Sequence, residues 1–106
     1  LAWLETQQEY AELKRYNEAK VQRDAVLNQT VKLLQGYWYE QLQQDFAPGN
    51  AMMTSWVKTF GPQEVEIAID KAGVKLAEGK VYGGFDGLVR YTAGVLWARL
   101  KAGANA

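Results

Sequence analysis

The chain has 106 residues, its 12 Lys and Arg are balanced by 12 Asp and Glu, and it contains neither His nor Cys. That length suffices for one hydrophobic core, and the missing residue types exclude disulfides, thiolate zinc sites, imidazole general bases and a Ser-His-Asp triad. Zero net charge excludes affinity drawn from a broad basic surface, because neutralising many phosphates requires a positive field.

Gly and Pro divide the chain into elements. From Leu1 to Phe46 there is no Pro and a single glycine, Gly36, among frequent Gln, Glu, Lys, Leu and Ala, which predicts one long helix or two consecutive ones. Leu27, Val31, Leu34, Trp38, Leu42 and Phe46 step by 4, 3, 4, 4 and 4 and lay an apolar stripe along its second half. Upstream, Trp3, Tyr10, Leu13 and Tyr16 make a sparser stripe, with polar residues between Asn17 and Asp24. This first part is expected outside the core, as a free arm, a helix packed on a protein partner or a second copy, or a linker to another domain. The three consecutive rings Tyr37, Trp38 and Tyr39 project about 100° apart, so at least one faces away from the local core.

Ala47-Pro48-Gly49-Asn50 is a turn signal, because Pro removes an amide donor and Gly relaxes the backbone. Asn50 is then expected to cap a short helix over 51–59, with Met52, Met53, Trp56, Val57 and Phe60 as its wedge. Gly61-Pro62 ends it and opens a third helix, with Pro62 at the first position, where its missing donor costs nothing. Val65, Ala68 or Ile69, Ala72 and Leu76 form its inward face, and Gly79 is the expected C-cap. The glycine-rich stretch from Lys80 to Gly87 reads as a loop. Asp86 is expected to cap a last helix over 87–101, with Leu88, Tyr91 or Thr92, Val95, Leu96 and Leu100 inward. The fold class is therefore all-α, a small bundle of about four helices, organised as a helical arm over 1–46, a compact domain over 50–101 and a flexible tail over 102–106.

No motif in the chain carries chemistry. The glycines at 79, 83, 84 and 87 resemble a phosphate loop, but Gly79-Lys80 precedes Val81 rather than Ser or Thr and follows a helix rather than a strand. Glu66 and Asp70 share a helix face while Glu64 points elsewhere, so two carboxylates converge, and pairing with Lys71 or Lys75 is expected rather than a metal. No catalytic residue, cofactor or metal site is assigned. No run approaches the roughly 18–20 apolar residues of a membrane span, and no charged-then-apolar leader precedes a cleavage site. The absence of Cys is compatible with a cytoplasmic location. A start at Leu1 rather than Met fits a domain excised from something longer or a trimmed protein.

Charge is uneven along the chain. Residues 1–50 carry five basic and seven acidic side chains, and residues 51–106 reverse the balance. After Asp86 there is no acid, while Arg90, Arg99 and Lys101 follow. Such a bias is first of all that of a helix C-terminus, where the macrodipole favours cations; the other reading is a candidate contact for DNA.

From Met53 to Lys101 the sequence runs Ser55-Trp56-Val57-Lys58-Thr59-Phe60-Gly61-Pro62, then Glu64-Val65, Ala68-Ile69 and Ala72, a glycine-containing gap, and Tyr91-Thr92-Ala93-Gly94-Val95-Leu96-Trp97. This cadence resembles the C-terminal helical domain of DnaD-like primosome and phage replication proteins. The resemblance covers about half the chain and implies a non-catalytic role in phage, plasmid or bacterial DNA replication. Arg90, Tyr91, Arg99 and Lys101 would then touch DNA. The upstream stripe of Trp3, Tyr10, Leu13 and Tyr16, outside the resemblance, is expected on its own spacing to contact a protein partner or a second copy in a homo-oligomer. The alternative is a protein-interaction module, an inhibitor or scaffold, that dimerises through the first helix and binds no nucleic acid.

Overall fold

The structure, a computed structural model, describes the backbone of residues 2–104 and the side chains of residues 8, 9 and 11–103. It is an all-α bundle of four helices, with no strand among the described residues: α1 (Ala2–Leu42), α2 (Asn50–Phe60), α3 (Pro62–Ala77) and α4 (Gly84–Ala104). The molecule measures 71 × 35 × 17 Å. The long dimension comes from α1, whose 41 residues extend for roughly 60 Å at the helical rise.

Only the second half of α1 enters the core. Val31, Leu34, Trp38 and Leu42 are buried, whereas every described side chain from Gln8 to Val26 is exposed. The exposed half has good helix formers and no Gly or Pro, and the packed turns beyond Leu27 supply the nucleus from which an isolated helix would suffer. The helix stops at Leu42 rather than Phe46 because Gln43 turns left-handed, with φ of 52°. The chain then folds back so that Pro48 is fully buried, and Gln35 Nε2 donates to Pro48 O at 3.1 Å and to Asn50 Oδ1 at 2.9 Å. The side-chain amides of Gln43 and Gln44 donate to the carbonyls of Glu40 and Leu42, which the helix end leaves unpaired. Phe46 therefore leaves the stripe; it is 70% exposed and meets Phe85 edge-on with centroids 6.3 Å apart.

Gly61 makes the elbow between α2 and α3 in one residue. Its φ of 92° is left-handed, its N–H donates to Val57 O and its carbonyl accepts from Val65 N–H. Pro62 opens α3 as expected. Val65, Ala68, Ile69 and Ala72 are fully buried, and the small side chains on this face let α1 approach α3 closely. Helix α3 is thus the centre of the bundle, packing against all three others. It ends in a Schellman motif in which Lys80 N–H reaches Lys75 O and Gly79 N–H reaches Leu76 O, with Gly79 left-handed at φ of 70°.

The other two predicted caps are corrected. Gly49 precedes α2 as its N-cap without a side-chain bond, and Asn50 is already helical because its side chain is held by Gln35. Helix α4 begins at Gly84, which puts Asp86 inside the first turn, where its carboxylate faces the positive end of the dipole. Helix α4 also runs on through Ala104, so residues 102–104 of the expected tail are helical, and Asn105 and Ala106 lie outside the described residues. Leu88, Thr92 and Leu96 face inward, and the Thr92 hydroxyl satisfies itself on Leu88 O at 2.8 Å. Leu100, expected inward, is 44% exposed because it lies beyond the last turn covered by α3. At the heart of the bundle Trp38 is completely buried between Trp56 and Phe85, at centroid distances of 6.5 and 6.2 Å.

Candidate functional site

Two surfaces collect the residues singled out in the sequence. The first is the arm. Leu13 and Tyr16 are 58% and 60% exposed and lie on the face that continues, about three turns further on, into Leu27, Val31, Leu34 and Trp38. The side chains of Trp3 and Tyr10 lie outside the described residues. Around Tyr16 the same face is polarised, with Glu9 and Glu12 on its N-terminal side and Lys20 and Arg23 on its C-terminal side. All four are exposed, and the ion pairs found among the described residues lie elsewhere, at Lys75–Glu78, Lys80–Glu78 and Arg99–Glu64.

The second surface is α4. Arg90, Gly94, Trp97 and Lys101 recur at steps of 4, 3 and 4 and share an exposed face, on which a 58% exposed Trp97 stands between two cations. Phe60 holds its ring edge-on, with centroids 4.9 Å apart. The cations at either end are about 16 Å apart along the axis. Sequence reasoning placed Tyr91 and Arg99 in this set, and the structure separates them. Tyr91 is half-buried against the core, and Arg99 is nine residues from Arg90, which puts it on the opposite side of the helix.

Arg99 instead grips Glu64 of α3 through two donors on one guanidinium edge, Nε to Oε2 at 2.6 Å and Nη2 to Oε1 at 3.3 Å. The hydrogen bond from Arg99 holds the Glu64 carboxyl below its ordinary range, and the same bond raises the guanidinium of Arg99. Asp70 accepts a hydrogen bond from the Tyr37 hydroxyl, and that bond, with burial and the nearby charges of Asp70 and Glu66, pushes the phenol up to about 12. Glu64 and Asp70 are therefore engaged by Arg99 and Tyr37, not by the expected Lys71 and Lys75. Those partners stand 35 and 33 positions away in the chain, and no local spacing announces them.

Beside the Glu64–Arg99 pair an open groove of about 630 Å³ runs between Phe60, Leu96 and Leu100. Its walls are apolar and its one carboxylate is tied up, so it offers van der Waals contact rather than proton transfer. Among the described residues no three His, Cys, Asp or Glu come together to hold a metal ion, and no helix is long and apolar enough to cross a membrane. Compared with family models, curated proteins and solved structures, the chain matches none.

Proposed function

We propose that this protein is a non-catalytic helical adaptor whose compact body anchors a projecting arm, and that the arm docks onto a protein. The observation that carries this reading is the division of α1. One continuous helix buries one face from Val31 on and is exposed throughout its described side chains before Leu27, and the exposed part still presents Leu13 and Tyr16 on one face. Such a segment contributes little to the monomer core and offers a preformed surface for helix-on-helix recognition. The lack of Cys suits a reducing, cytoplasmic setting.

Deletion of residues 1–20 tests it. The shortened chain is expected to unfold cooperatively with an unchanged midpoint while losing association with its partner. Loss of cooperative unfolding would make the arm part of the core and end the proposal.

The exposed Arg90–Trp97–Lys101 face favours a second reading, weak binding of DNA in a replication system, in keeping with the resemblance to DnaD-like domains. Two cations neutralise about two phosphates, so the affinity should fall with salt at a logarithmic slope near −2. Reversal of Arg90 and Lys101 should abolish binding, and reversal of Arg99, which belongs to Glu64, should leave the slope unchanged. A slope far steeper than that, or binding indifferent to the Arg90 and Lys101 reversal, removes α4 as the contact.

A further inference from the structure

We infer that the partner of the arm is the arm of a second copy of this chain, laid antiparallel about a two-fold axis that passes through Tyr16. This deepens the reading of the arm as the docking element and rests on it. Charge complementarity selects this pairing. With Tyr16 at the centre, Glu9 comes level with the partner's Arg23 and Glu12 with the partner's Lys20, so the acidic half of each face meets the basic half of the other. A parallel pair would set each of these charges against its own copy, which is repulsive at all four positions.

The residues at the axis agree with this arrangement. Tyr16 meets its own copy, and Leu13 flanks it, both being exposed in the monomer. The free face is bounded as well. Toward the C-terminus α1 is covered by α2 and α3 from Leu27 on, so the open face ends about one turn beyond Arg23. The stretch from Glu9 to Arg23 spans about 21 Å, and every described side chain in it is exposed. Because charges contribute more to this face than apolar area, the dimer is expected to be weak and sensitive to salt.

Light scattering or sedimentation of the full chain across concentration reads the result. The expected outcome is a concentration-dependent dimer whose dissociation constant rises at least about tenfold between about 50 and about 500 mM salt. Glu9→Lys with Glu12→Lys should leave only monomer, because each arm then carries four basic groups on that face. Adding Lys20→Glu and Arg23→Glu to that variant should restore the dimer.

Orientation is read with cysteines, which the natural chain lacks. Tyr16→Cys should oxidise to a covalent dimer, whereas Glu9→Cys should not, although a mixture of Glu9→Cys and Arg23→Cys should. A full chain that stays monomeric at low salt, a dimer indifferent to the charge reversals, or Glu9→Cys cross-linking as readily as Tyr16→Cys overturns the inference. A monomer that still needs its arm to hold a different protein overturns this pairing and leaves the adaptor reading standing. An arm whose deletion changes no association overturns both.

Discussion

Replacing Gly87 by alanine isolates one close approach in the fold. In an open helix interior the exchange is favourable by about 0.8–1.0 kcal/mol, and Gly87 lies within α4. Here, however, the added methyl would overlap the carbonyl oxygen of Tyr82 and stand 2.7 Å from its carbon, where Cβ atoms essentially never come within 3.0 Å. The obstacle is backbone, so no rotamer change relieves it. The loop that must yield is already constrained by two left-handed residues, Gly83 at 93° and Gly84 at 61°. Overpacking of this kind costs about 1–3 kcal/mol, toward the upper end when the neighbour cannot rotate away, which leaves a net loss of about 1–2 kcal/mol after the propensity gain. For a domain of this size that lowers the melting temperature by roughly 5–15 °C. Gly94 provides the control: it lies in the same helix with no atom within 4 Å, so Gly94→Ala should raise stability by about 0.5–1 kcal/mol. Urea and thermal unfolding followed by circular dichroism measure both. Equal stabilisation by the two substitutions would show that the Tyr82 carbonyl does not sit against Gly87.

Three further outcomes are expected. Trp38→Ala should cost about 3–5 kcal/mol in urea unfolding. Trp38→Phe should cost clearly less, because Nε1 of this fully buried ring finds no acceptor among the described residues and its burial penalty of about 1–3 kcal/mol disappears with it. In a spectrophotometric titration Tyr37 should ionise near 12, above the ordinary phenol range, and Tyr37→Phe should remove that step. Its raised value means the stability it contributes is complete below the ordinary phenol range and is lost as pH rises from about 10 to about 12. Glu64 behaves in the opposite sense. Held low by Arg99, it contributes stability above the ordinary carboxylate range that is lost as pH falls through its folded value, so Glu64→Gln should flatten the acid limb of the stability profile.

Most of the fold is written in short-range pattern. Gly61-Pro62 and the turn before Asn50 mark the joints, and Val31, Leu34, Trp38 and Leu42 follow the spacing that buries them. What the pattern does not carry is where a helix yields to a longer-range demand. Phe46 continues the stripe by count, yet the chain has already left α1, because Pro48 must be buried and Gln35 must reach it and Asn50. The cap assignments at Asn50 and Asp86 miss for two reasons: the Asn50 side chain is held by Gln35, and α4 starts at Gly84, two residues before Asp86, which is therefore already inside its first turn. On the candidate DNA surface, helical spacing shows Arg90 and Lys101 sharing one face, and the same spacing sets Arg99 opposite Arg90. That Arg99 is spent on Glu64 follows only from the packing of α3 against α4.

The continuity of α1 through Leu27 has a mechanical meaning. A flexible tether would let its tip wander and would surrender backbone freedom on capture, at roughly 1–2 kcal/mol per residue fixed. A strut has surrendered that freedom already. Force applied near Tyr16 is delivered, with no hinge to absorb it, to the turn that carries Trp38, so whatever grips the tip also strains the ring on which α2 and α4 close.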